Sequence, residues 1–413
     1  MVSGNMTSEP AGVETEFQSQ PVAFGVMTCV FFMWGFITCL NDILIPHLKA
    51  SFGLNYTQAM LIQFCFFGAY FICSIPAGRI LDRVGYKRGV IIGLCIAGVG
   101  ALMFYPAAEY RTYGIFLAAL FVLASGITLL QVAANPYVVA LGPSSTASSR
   151  LNLAQAFNSL GTTIAPIIGG ALIFGGLDAA TAADADSVKV PYLGLAAALV
   201  VIAVVLSFIK MPDMRDSDCN ENGPASLFEA LQHRHLAFGV LAIFLYVGGE
   251  VSIGSFLVNF LGEPDVGGLT ESTAANYVAL YWGGAMLGRF VGSALMTRIS
   301  AAWLLGLHAT LAVLLVAVAA TTSGVLAMCA ILAVGLCNSI MFPTIFSLAL
   351  QGLGRLVSAG SAALCLAIVG GALVPLLQGV LADSLGLRLS FIVPACCYIY
   401  IAWYGVRGTV AKA

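Results

Sequence analysis

Two carboxylates, Asp42 and Glu250, stand inside long stretches that otherwise carry no charge. A carboxylate in hydrocarbon costs about 2.5–3.5 kcal/mol on insertion scales, so one kept there is a candidate for function. Its chemistry is the gain and loss of a proton, or the holding of a cation, where desolvation makes the charged form expensive. Neutral polar residues accompany the pair. Asn41 adjoins Asp42, Gln63 and Tyr70 lie in the second apolar run, and Gln131 and Asn135 are four apart in the fourth. Asn152, Gln155 and Asn158 recur every three residues in the fifth run, which clusters them toward one side of a helix. Asn259, Asn276, Trp282 and Asn338 follow in the second half of the chain.

Amides offer donors and acceptors together, as the hydroxyls of a neutral polyol require, and no ring of basic residues is available for an anion. Trp34, Trp282 and Phe342 are candidates to stack on the apolar face of a sugar ring. The expected substrate-binding set is therefore Asn41, Gln63, Gln131, Asn135, Gln155, Asn158, Glu250, Asn259, Asn338 and Trp282, with Asp42 and Glu250 as the proton-coupling pair. Each amide also has a plainer use as an interhelical hydrogen bond, worth roughly 0.6 kcal/mol, and the aromatic rings have one as packing. His47, five residues after Asp42, is placed to tune it; His308 stands alone in an apolar run. His233 and His235 have no carboxylate at ligand spacing, so no metal site is expected. Of eleven cysteines all but Cys219 lie in apolar runs, where cysteine acts as a small hydrophobe. No nucleophile with a nearby base can be found, so neither an enzyme nor a cofactor is expected.

The elements that must position these groups are set by composition. The chain has 413 residues, 60% hydrophobic and 9% charged, with a mean hydropathy of +0.97; soluble domains carry about 25% charged residues. Its apolar runs are about 20 residues long, the length a helix needs to cross roughly 30 Å of hydrocarbon. Spans are predicted at about 22–48, 57–80, 88–107, 113–141, 151–174, 190–210, 236–261, 272–297, 302–321, 324–349, 357–382 and 389–406. The predicted organisation is a cytoplasmic tail over 1–21, a six-helix bundle over 22–210, a polar central loop over 211–235, a second six-helix bundle over 236–407 and a tail over 408–413. The halves echo each other: Phe24-Gly25-Val26 recurs as Phe238-Gly239-Val240, Gly78-Arg79 as Gly288-Arg289, Pro136 as Pro343 and Pro166 as Pro375. Internal repeats of this kind mark transporter folds that bind near the midplane between two bundles.

Orientation follows the Lys and Arg residues of short loops. With both termini cytoplasmic, Arg79, Arg83, Lys87, Arg88, Arg150, Lys210, Arg215, Arg234, Arg289, Arg298, Arg355, Arg407 and Lys412 fall inside, and only Lys49, Arg111, Lys189 and Arg388 fall outside.

The run from Gly78 through Asp82, Arg83 and Gly85 to Arg88 resembles the G-x-x-x-D-R-x-G-x-x-R loop of the major facilitator superfamily. Asp82 at a helix end is suited to pair with basic groups and helix dipoles and so to latch the cytoplasmic ends together. A narrower resemblance rests on Phe32-Met33-Trp34-Gly35-Phe36, Leu40-Asn41-Asp42-Ile43-Leu44, Ala133-Ala134-Asn135-Pro136-Tyr137, the stretch Leu151 to Ser159, and Phe342 to Leu348. These look like the fucose-galactose-glucose:proton symporter family. In its fucose permeases an acid at the place of Asp42 and a glutamate four residues before the Asn-Pro pair carry proton coupling and sugar recognition. Here the second position is Gln131, which cannot exchange a proton. A two-carboxylate relay within the first half is thereby excluded. Glu250, within Tyr246 to Phe256, is instead similar to the glucose/galactose branch, and binding sugar, binding a cation and carrying the proton all stay open to it.

The resemblance implies an all-α integral membrane protein with twelve transmembrane helices in two pseudo-symmetric bundles. It implies a monomeric, multi-pass carrier of a bacterial inner membrane that imports a neutral hexose with H⁺, with the lipid bilayer around it and no nucleic-acid partner. A Na⁺-coupled or uncoupled hexose carrier is the nearest alternative, and a metabolite or drug exporter of the same fold the next. The chain carries no sizeable soluble signalling domain, which weighs against a sensor that binds sugar without moving it.

Overall fold

The computed structural model describes residues 20–52, 56–174, 188–211 and 226–409. The tails, the greater part of the central loop, and the side chains of Asn41, Asp42, His47 and Gln63 lie outside the described residues. The described residues are mostly helical, joined by short turns, and hold no strand. We label its twelve long helical spans α1 (Pro21–Phe52), α2 (Tyr56–Val84), α3 (Tyr86–Glu109), α4 (Tyr113–Ala140), α5 (Ala147–Phe174) and α6 (Lys189–Phe208). The second set is α7 (Arg234–Gly262), α8 (Glu271–Leu295), α9 (Ala301–Thr321), α10 (Gly324–Ala349), α11 (Gly354–Leu385) and α12 (Leu387–Gly408). Ten of them are apolar enough over sufficient length to cross a bilayer. The other two, α5 and α8, carry Asn152, Gln155, Asn158 and Arg289 and complete the sets of six.

The repeats in the sequence become a repeat in packing. α1 packs on α5 as α7 packs on α11; α3 on α4 as α9 on α10; α2 on α4 as α8 on α10; α3 on α6 as α9 on α12. Close approach at the first of these contacts depends on glycine. A Cβ on Gly35 would stand 2.0 Å from Asn158 O, and one on Gly370 would stand 2.0 Å from Phe244 O. Small residues bring lipid-embedded helices together because hydrocarbon offers no hydrophobic drive between them.

The halves meet through α5 on α8 and α2 on α11, again a symmetric pair. Hydrogen bonds across this interface gather at the end carrying the 78–88 loop. Ser148 and Ser347 hydroxyls are 2.7 Å apart; Ser149 Oγ donates to Ser293 O (2.7 Å) and Ser293 Oγ to Ser149 O (2.9 Å). Asn152 Nδ2 donates to Thr344 Oγ1 (3.2 Å), Ser361 Oγ to Val132 O (2.8 Å), and Ser358 Oγ to Asp82 Oδ1. This end of the bundle is sealed.

Candidate functional site

Above the seal, between the halves, lies a cavity of about 150 Å³. Trp34 of α1, Gln131 of α4, and Gln155 and Asn158 of α5 line it from one side; Val247 and Glu250 of α7, Arg289 of α8, Phe342 of α10 and Ile368 of α11 line it from the other. The polar part of the lining comes from α4, α5, α7 and α8, and α1, α10 and α11 add Trp34, Phe342 and Ile368. Gln155 and Asn158 share one face of α5, and Asn158 Nδ2 is anchored on Phe31 O (2.9 Å) beside the Gly35 contact, which holds α1 and α5 in register.

The amides are held and yet not saturated. Gln131 is 5% exposed; its Nε2 meets Tyr70 Oη at 2.5 Å, and its Oε1 has no partner among the described residues. Gln155 Nε2 donates to Asn135 Oδ1 (3.4 Å), while Asn135 Nδ2 has no partner among the described residues. Asn135 thus stands behind the wall and orients Gln155. In the other half Tyr246 Oη lies 2.7 Å from Glu250 Oε1, and Asn338 Nδ2 donates to Tyr281 Oη (2.7 Å), so Asn338 too belongs to a second row.

Arg289 is the feature that sequence reasoning placed elsewhere. It counts there as a cytoplasmic anchor and a copy of Arg79, whereas its guanidinium lines the cavity with Glu250. Nε donates to Ser339 O (3.0 Å) in its own half and Nη1 to Ser159 Oγ in the other. The signal was present: Arg289 falls inside the predicted span 272–297, and a charge at such a position is itself a functional marker. Arg79, its repeat partner, is exposed near the end of α2.

Other expected residues lie apart from the cavity wall. Asn259 is exposed, and Trp282, 42% exposed, stacks edge-on against Tyr281 and packs near Gly254. Asn152 is buried in the seal and Asn276 is exposed. Trp34 and Phe342 supply the aromatic cover. His308 Nδ1 lies 3.1 Å from Cys337 O, and His235 Nε2 is 2.9 Å from Gln351 O. In the loop motif Gly85 adopts φ 78° to turn the chain between α2 and α3. Gly78 lets α2 approach Ala362 of α11, and Asp82 reaches Ser358. Arg83 and Arg88 are exposed. Arg150 is half-buried and donates to the carbonyls of Val138, Val139, Gly142 and Pro143, capping the end of α4.

Residues 24–372 match the Major Facilitator Superfamily. Over 99% of its length the chain is 56% identical to a glucose/galactose transporter of Brucella abortus biovar 1 (strain 9-941), covering all of that protein. It is 34% identical to an L-fucose-proton symporter of Escherichia coli (strain K12), over 93% of this chain and 92% of that one. Among solved structures, a single-residue variant of the E. coli fucose:proton symporter FucP superposes with a TM-score of 0.86 at 32% identity, over 95% of this chain and 99% of the other. FucP in the outward conformation gives 0.84 at 33% identity, over 93% and 98%. Sequence pattern, paired bundles and these matches agree: the chain belongs to the Major Facilitator Superfamily.

Proposed function

We propose that the chain is a secondary active transporter that imports a neutral hexose, glucose or galactose, together with a proton by alternating access. One observation carries the reading: a carboxylate, Glu250, and the amides of Gln131, Gln155 and Asn158 face one small cavity between two bundles that are sealed at one end. The lining of amides, a carboxylate and a guanidinium favours a polar solute over the apolar cargo of a drug exporter. Trp34 and Phe342 give the sugar ring apolar faces, and the free polar atom of Gln131 gives a hydroxyl its partner. Relatives named for glucose/galactose transport and for fucose-proton symport fit the same chemistry.

In this mechanism Asp42, eight residues beyond Trp34 and so roughly 12 Å further along α1, takes up the proton as the outer cavity fills. Sugar then binds across both walls. Neutralising the carboxylates removes the cost of closing charge into a dry cavity, and the loaded carrier rocks inward. Arg289 bridges the halves below the sugar and holds a fixed charge near Glu250. The loop with Asp82, Arg83 and Arg88 and the sealed end face the cytoplasm of a bacterial inner membrane, both termini lie on that side, and one chain is the working unit.

The test is glucose uptake by purified protein in proteoliposomes under an imposed pH gradient, with galactose, fucose and mannose as competitors. Accumulation is expected to collapse with a proton uncoupler and to persist without Na⁺; the reverse pattern establishes Na⁺ coupling instead. Asp42→Asn is expected to abolish uphill accumulation while exchange of sugar is partly kept. Equal loss of both would reduce Asp42 to a binding or structural role.

A further inference from the structure

Helix α10 is broken in the middle. Its regular bonding stops at Asn338 and resumes at Met341. A break in a membrane helix frees carbonyls that must find donors inside the protein. Here four consecutive carbonyls meet side chains: Leu336 O takes Ser339 Oγ (2.6 Å), Cys337 O lies against His308 Nδ1 (3.1 Å), Asn338 O against Tyr246 Oη (3.1 Å), and Ser339 O takes Arg289 Nε (3.0 Å).

Tyr246 has a second neighbour, Glu250 Oε1, at 2.7 Å, and a phenol has one hydrogen to give. With Glu250 ionised both neighbours are acceptors. The hydrogen then goes to the carboxylate, because charge-assisted bonds are roughly twice as strong as neutral ones, and Asn338 O loses its donor. With Glu250 protonated, the acid donates to Tyr246 Oη, Tyr246 donates to Asn338 O, and each donor in this chain has an acceptor. The other groups facing Glu250 among the described residues are Arg289 and Tyr281 of α8 and Tyr398 of α12. Beyond the break, α10 carries Phe342 into the cavity, Thr344 onto Asn152 and Ser347 onto Ser148, so the segment that follows the break supplies part of the seal, beside Ser293 of α8 and Ser358 and Ser361 of α11.

We propose that Tyr246 is a positioning residue that ties the proton on Glu250 to the break in α10: the sealed arrangement keeps the proton, and opening of the sealed end releases it. An empty protonated carrier is thereby held with its seal closed and does not leak protons; bound sugar must offset that hold before the halves rock. This rests on the hexose–proton reading above.

The experiment uses the full chain in proteoliposomes with glucose. Wild type that cannot accumulate glucose under a pH gradient overturns the transport reading itself. Where wild type accumulates it, Tyr246→Phe is expected to cut accumulation at least about tenfold, to cost exchange less than about threefold, and to displace the pH midpoint of exchange. Accumulation within about twofold of wild type overturns the role of Tyr246 and leaves the transport reading standing. His308→Phe removes a different donor at the break; the same displaced midpoint there would also overturn it. A second measurement needs no transport: amide hydrogen exchange over residues 341–349 at pH 8. Glu250→Gln, whose amide donates to Tyr246 as a protonated acid does, is expected to slow that exchange at least about fivefold, and less than about twofold once Tyr246 is Phe. Equal slowing in both backgrounds refutes the link.

Discussion

Removing the crossed serine pair at the sealed end should shift the carrier toward the state open at that end by a calculable amount. Ser149 and Ser293 each donate a hydroxyl to the other's backbone carbonyl, at 2.7 and 2.9 Å, and are 8% and 6% exposed. A neutral buried hydrogen bond contributes about 0.5–1.5 kcal/mol net. Ser149→Ala with Ser293→Ala removes both bonds, so the sealed state loses about 1–3 kcal/mol, a shift of about 5- to 150-fold in the ratio of sealed to open carriers. Both bonds exist only while the halves touch, so the whole loss falls on one side of the equilibrium. The ratio can be read from distance distributions between spin labels on unnatural amino acids at Arg88 and Arg298, exposed residues of opposite halves. Ser74→Ala is the control, since its hydroxyl bonds Tyr70 O within α2 and crosses no interface. A double variant whose ratio stays within about twofold of wild type would refute the assignment of the seal to these contacts.

Three further outcomes are expected. Gln155→Ala should raise the KM for glucose about 2- to 12-fold, the loss of one neutral hydrogen bond; an unchanged KM in proteoliposome uptake would remove Gln155 from the sugar wall. Gly35→Ala should force α1 off α5, since its Cβ would meet Asn158 O at 2.0 Å, and so lower the melting temperature and the folded yield. Gly25→Ala, with nothing within 4 Å, should change neither, and equal melting curves for the two would contradict the packing described. Asp82→Asn and Ser358→Ala should each favour the open state, and the double variant should do no more than the larger single one, because the two share one inter-half bond; additive shifts in the same distance assay would show that the groups act separately.

Much of this architecture could be read before any coordinates, for reasons that lie in the solvent. Hydrocarbon of fixed thickness demands apolar runs of a set length, so twelve spans and their duplication stand out in the chain. The same solvent makes polar residues conspicuous, which is why Glu250, Gln131, Gln155 and Asn158 could be named as a group and meet in one cavity. What a run of letters does not contain is the rotation of each helix against its neighbours. Asn259 and Trp282 look as eligible as Gln155, yet both are exposed and neither lines the cavity, while Asn135 and Asn338 stand one row behind it.

Arg289 shows the difference most clearly. By position it matches Arg79 of the first half, and composition treats the two alike; packing of α8 against α5 and α10 brings one guanidinium into the cavity, while the other is exposed near the end of α2. For the break in α10 the sequence gives a cause, Pro343, which has no N–H to offer Ser339 O four residues before it; it does not show where the donors for the freed carbonyls, such as Tyr246 and His308, arrive from other helices. Length, hydropathy and the presence of buried polar groups are properties of the chain against its solvent, and the sequence by itself determined them. Which of those groups face one another is a property of helix against helix, decided by the close contacts that glycine permits and by hydrogen bonds that must be satisfied where water is absent.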